Sequence, residues 1–152
     1  DGAINHVSFG PGDSVVTASQ DGTARIWSVV TGKETGRLNM GTAPVTTAVF
    51  SKDGARILAS TADGQSWLWR LDDHALIASW HSHGPGASRA IFSPDESRIV
   101  TISGDTNVRI FRNFFDTQAI FDHAKATIKR RLSQCEREQY FLATPSDETS
   151  CQ

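Results

Sequence analysis

His81 and His83, in "HSH", are spaced so that an extended segment could present both imidazoles to one metal ion. A tetrahedral site needs two further ligands, and the flanking residues are Gly, Pro and Ser, so no metal is expected here. Asp72, Asp73 and His74 bring carboxylates beside an imidazole, the pairing that general acid–base catalysis uses. They fall between two strand-like segments, where Asp serves as a turn residue. Cys135 is a thiol beside Glu136 and Glu138, whose charges oppose a thiolate. Lys129, Arg130 and Arg131 could meet phosphate, but Glu136, Arg137 and Glu138 follow closely and make a solvated helix face the simpler reading. No convergent set of titratable groups emerges, so neither a catalytic residue nor a cofactor is expected.

What does recur is a carboxylate at a fixed distance ahead of an aromatic ring. "SQDGTARIW" at 19–27 returns as "TADGQSWLW" at 61–69 and as "SGDTNVRIF" at 103–111, so Asp21, Asp63 and Asp105 step by 42 residues, as do Trp27, Trp69 and Phe111. The same register runs ahead of each Asp. "HVSF", "TAVF" and "RAIF" end at Phe9, Phe50 and Phe92, and are followed by "VVTAS", "ILAST" and "IVTIS". This is an internal repeat.

The elements that must hold these residues follow from the pattern. Short segments rich in Gly, Pro, Asp and Ser, namely "GPGDS", "SKDGA" and "SPDES", separate β-branched runs and predict hairpins. The Asp-Gly pairs at 21–22 and 63–64 predict a second tight turn, since Gly accepts positive φ and Asp bonds the backbone ahead. A third strand ends at the aromatic residue, and "VVTGKETGRLN" and "LDDHALIASW" each supply a turn and a fourth. A four-stranded unit of this size must bury its faces against copies of itself.

On these motifs residues 1 to about 113 resemble WD40 repeats, the blades of a β-propeller. The resemblance implies an all-β fold of three four-stranded-type blades of an incomplete propeller, at about 1–39, 40–81 and 82–113. There are departures: Met40-Gly41 replaces the family's Gly-His pair in the middle copy, Ser82-His83 takes its place in the third, and no Trp-Asp pair occurs. The family's blade-pinning network of histidine, strand hydroxyl, turn aspartate and tryptophan maps onto Ser19, Asp21 and Trp27, then Thr61, Asp63 and Trp69, then His83, Ser103 and Asp105, with Phe111 in place of the last indole. The face bearing the turns at 20–22, 62–64 and 104–106, with the loop at 81–87, is the implied partner-binding face, with Gln20, Ala62 and Gly104 as candidate contacts. Trp67 stands where the other copies carry Arg25 and Arg109. It is either an interface anchor or a ring stacked on an arginine of the neighbouring blade.

Past Arg112 the strand period stops. Ile120, Ala124, Ile128 and Leu132 lie four apart, which predicts an amphipathic helix, and "SQCE" at 133–136 is a capping box for a short second one. Residues 114–143 are thus expected to be helical and 144–152 a flexible tail, and the third blade is expected to show three strands of its own. The segments "TQAIFDHAK" and "RRLSQCEREQYFL" resemble the end of many large bacterial WD40 proteins. That resemblance implies an upstream effector, such as a TIR, caspase-like or nucleotide-binding module. Residue 1 is Asp, the Gly-His position of the first copy falls just before it, and three blades cannot close a ring, so remaining blades are expected upstream.

Charge is nearly balanced, 15 basic against 17 acidic residues, which leaves no field to hold nucleic acid or an anionic membrane, and neither partner is expected. No apolar run approaches a membrane span. Cys135 and Cys151 lie far from the repeats, which suits a reducing compartment, so a cytoplasmic location is expected. The leading functional expectation is a non-catalytic scaffold that binds a protein or ligand and regulates an effector in the same polypeptide. The alternatives are a propeller-type hydrolase, an enzyme whose active site lies outside these residues, and a purely architectural scaffold.

Overall fold

The computed structural model describes residues 2–81, 84–86 and 88–113. The chain divides into one unit of residues 1–113 and another of 114–152. The helices expected between 114 and 143, the tail, Cys135 and Cys151 lie outside the described residues, as do Ser82, His83 and Ala87.

The described residues form three antiparallel sheets. The first contains β1 (Ile4–Phe9), β2 (Ser14–Ser19), β3 (Thr23–Ser28) and β4 (Glu34–Asn39) in sequence order. The second repeats it with β5 (Val45–Phe50), β6 (Arg56–Thr61), β7 (Gln65–Arg70) and β8 (Leu76–His81). The third has β9 (Arg89–Phe92), β10 (Arg98–Ile102) and β11 (Val108–Arg112), so that blade shows three strands among the described residues. Even the irregularities repeat: bulges interrupt the register between Ile4 and His6 and between Val45 and Thr47, and again at Ile26/Trp27 and Leu68/Trp69. A bulge bends its strand and sharpens the twist, so the first two blades are bent at equivalent points.

The turns explain the 42-residue step. Left-handed backbone occurs at Gly12 and Gly54 (φ 64° and 72°), at Gly22 and Gly64 (φ 80° and 88°) and at Gly32 (φ 67°). The described non-glycine residues with positive φ are Glu96 (φ 56°), Thr106 (φ 64°) and His74 (φ 53°), and each sits one step beyond a glycine of this set. The fold demands the conformation at these positions whichever residue occupies them. A β-branched threonine there is strained. At Gly22 the demand is also steric, since an added Cβ would lie 2.0 Å from the Gly41 carbonyl oxygen.

Two cores hold the blades together. Val16, Ala18, Ala24, Ile26 and Leu38 of the first blade pack against Val45, Ala48, Ile57 and Ala59 of the second, with Phe50, Trp67 and Trp69 at the border. Leu58 and Leu68 on the other face of the second blade pack against Ala90 and Ile99 of the third, bordered by Trp80, Phe92 and Phe111. Around the second core the glutamate at 96 reaches back: its carboxylate accepts the Lys52 backbone N–H and lies 4.0 Å from Arg56, while its carbonyl accepts the Asn113 amide at 2.8 Å.

Candidate functional site

The three turn carboxylates are all engaged inside their own blades. Asp21 accepts the Thr23 hydroxyl and one Arg25 nitrogen, both at 2.6 Å, and the Thr23 N–H at 3.1 Å. The Thr23 hydroxyl leads the set of bonds that hold the Asp21 carboxyl well below the ordinary carboxylate range. Asp63 accepts the Thr61 hydroxyl at 2.6 Å and both the backbone and side-chain N–H groups of Gln65. Burial works against its ionisation, but the bonds from Thr61 and Gln65 outweigh it and the pKa is lowered. Asp105 accepts the Asn107 N–H at 3.2 Å and an Arg109 nitrogen at 2.8 Å. Each Asp therefore locks the turn that leads into the next strand, as an Asx turn does.

The hydroxyl and indole partners are not those expected from the repeat alone. Trp27 donates its indole N–H to Thr17, at 2.9 Å, while the buried Ser19 hydroxyl donates to the Gly2 carbonyl and accepts the Asp21 N–H. In the second blade Trp67 donates to the Thr61 hydroxyl at 3.4 Å, and the Trp69 indole nitrogen is buried with no partner. Ser103 also has a buried hydroxyl without a partner, and His83 lies outside the described residues. Strand register would have identified Thr17. Val15 pairs with Trp27 and Thr17 with Arg25, so Thr17 sits diagonally beside Trp27 on one face of the sheet.

Trp67 stacks on Trp69, centroids 6.3 Å apart and planes 17° from parallel, and borders the first core. Its ring face is thus spent on another indole of its own strand, beside the core between the first two blades. On the turn surface Gln20 and Gly104 are exposed and Ala62 is half-buried. Beside the opposite strand ends, an open depression is lined by Asp53, Gly54, Ala55, Arg70, Leu71 and Asp72, where Arg70 already pairs with Asp72 and Asp73 at 3.3 and 3.1 Å. Among the described residues no group of three or more His, Cys, Asp or Glu is placed to hold a metal ion. No helix of the described residues is long and apolar enough to cross a membrane.

Comparison with known proteins bears on the repeats directly. The WD40 family profile, described as "WD domain, G-beta repeat", matches residues 1–28 and 32–70. The chain is 40% identical over 76 residues to nuclear distribution protein PAC1-2 of Uncinocarpus reesii, an alignment covering 47% of this chain and 17% of that protein. It is 26% identical over 102 residues to eukaryotic translation initiation factor 3 subunit I of Debaryomyces hansenii, covering 66% and 29%. It is 27% identical over 99 residues to a guanine nucleotide-binding protein subunit beta of Nicotiana tabacum, covering 60% and 26%. The chain spans less than a third of the length of each of these relatives. The profile match covers two successive sheets and a third sheet follows on the same step, so residues 1–70 carry WD40 repeats within an all-β fold.

Proposed function

We propose that these blades form a non-catalytic interaction scaffold whose turn face binds a protein partner. The observation that carries this reading is that Asp21, Asp63 and Asp105 all spend their carboxylates on their own turns. What such a face offers is fixed shape, with small or exposed side chains at Gln20, Ala62 and Gly104 between locked turns. Rigid scaffolds that present loops in this way recognise partners by surface complementarity. Trp67, stacked on Trp69 within β7, is the weaker candidate for a contact on this face. In its finer form the proposal places an effector module in the same polypeptide, in a bacterial cytoplasm, under the control of this surface. Its support is the likeness of residues 114–143 to the end of large bacterial WD40 proteins.

The test is affinity capture with the parent chain and a Gln20→Arg/Ala62→Arg variant of unchanged melting temperature. A partner retained by the parent and lost by the variant supports the reading. Partners retained equally by both would sink it.

A further inference from the structure

The joint between the first and second blades differs in kind from the joint between the second and third, and strand register shows where they diverge. Across the first blade His6, Ala18, Ala24 and Leu38 stand side by side in one row, on the face that meets the second blade. One step on, the same row of the second blade reads Thr47, Ser60, Ser66 and Trp80, on the face that meets the third. The opposing row changes with it. Ala48, Ala59 and Trp67 pack on the first blade, whereas the equivalent row of the third blade is Ala90, Thr101 and Arg109. Alanine and indole in the middle of the first joint have become serine, threonine and arginine in the second.

This polar layer is closed off from bulk solvent over most of its length. Ser60, Ser66 and Thr101 are fully buried and Thr47 is 5% exposed. The Thr47 and Ser60 hydroxyls are neighbours across β5 and β6, yet they bond neither each other nor any other group among the described residues. The Trp80 indole nitrogen, in the same row, is also buried without a partner. Buried polar groups are disfavoured in that condition, and ordered water is their usual partner where the side chains leave room.

The side chains of the second joint leave that room. In the first joint the Trp67 ring packs with Ala18 and Ala24 and fills the layer. In the second, the Arg109 guanidinium is drawn to Asp105 at 2.8 Å, and the Trp80 ring is drawn to Phe111, centroids 5.7 Å apart. Between them stand only the small side chains of Ser60 and Ser66. We propose that this layer is a binding site for ordered water, which bridges the Thr47 and Ser60 hydroxyls and accepts the Trp80 N–H. Arg109, whose side chain is 40% exposed, marks the place where the layer reaches solvent and its water exchanges. The first joint, with alanine and leucine at the matching places, is dry. The third blade is thus seated partly through hydrogen bonds that water can trade, whereas the first two blades are sealed by apolar contact.

High-resolution crystallography of the full 152-residue chain reads the site directly. Ordered density is expected within about 3 Å of both Thr47 Oγ1 and Ser60 Oγ, with none between Ala18 and Trp67. A layer without that density, its hydroxyls turned to bond each other or the Arg109 guanidinium, would overturn the proposal. Urea denaturation gives a second reading in which the two alternatives have opposite signs. Ser60→Ala removes a hydroxyl that water satisfies and should lower the midpoint; in a dry layer it would remove a stranded polar group and raise it. A midpoint raised or unchanged would overturn the proposal, and should the variant fail to fold, the density in the parent chain decides.

Discussion

The indole N–H of Trp27 donates to the hydroxyl of Thr17 at 2.9 Å, across the β2–β3 pair. One step of the repeat later the donor survives as Trp69 while the acceptor has become Ala59; two steps later the acceptor survives as Thr101 while the donor has become Phe111. The first blade alone keeps both halves, and Trp69 is left with a buried nitrogen that bonds nothing.

A double-mutant cycle on Thr17→Ala and Trp27→Phe should therefore show coupling of about 0.5–1.5 kcal/mol in urea denaturation. Thr17→Ala alone strands the indole donor, whereas adding Trp27→Phe removes the stranded group. Additive losses would mean that the bond contributes nothing.

Asp63→Ala should destabilise more than Asp105→Ala. Asp63 satisfies the hydroxyl of Thr61, which is fully buried, and both N–H groups of Gln65, so its loss is expected to reach about 1–3 kcal/mol. Asp105 is tied to Arg109, whose side chain is 40% exposed, and solvent screens that pair, so its removal should stay below about 1 kcal/mol. Chemical denaturation of the two variants gives the order.

Stability should fall with acid. The carboxyls of Asp21, Asp53, Asp63 and Asp95 all have folded-state pKa values below their ordinary 3.8, Asp95 at about 2. A lowered pKa contributes stability above the unfolded value, and that contribution is lost as pH drops through the folded value. The melting temperature should thus hold down to about pH 4 and decline towards about pH 2. Asp21→Asn should flatten that decline, and a slope unchanged from the parent would remove Asp21 from the account.

Thr106→Gly should raise stability by about 1 kcal/mol, because it relieves a β-branched residue held at φ 64° where the other copies have glycine. Glu96→Gly relieves the same kind of strain and should nonetheless destabilise, since it removes the carboxylate that accepts from Lys52 and faces Arg56. Thermal melts of the two variants should move in opposite directions.

The step of 42, the hairpins and the three-sheet architecture were legible because they rest on local rules: glycine at left-handed turns, β-branched runs between them, and Asp ahead of each turn. The partners of individual side chains were less so. The resemblance pointed to Ser19 and Thr61 as the hydroxyls of the network, but the pleat puts Thr17 beside Trp27, and Ala59 at the matching place cannot accept the Trp69 N–H. The expected stacking of Trp67 on an arginine of the next blade gave way to Trp69 in the same strand, since residues two apart in a strand share a face. Contacts such as Asn5 to the Val45 carbonyl join positions 40 residues apart, and no local pattern announces them.

Glu96 combines a left-handed backbone with a carboxylate anchored on another blade. Such a residue behaves as a loaded latch. While the third blade is docked, the bonds to Lys52 and Arg56 offset the strain that the β9–β10 turn imposes at this residue; once the blades part, the strain stays in the turn and the offset is lost. Opening of this joint should therefore be abrupt, with the third blade either fully seated or released and few partly opened forms between.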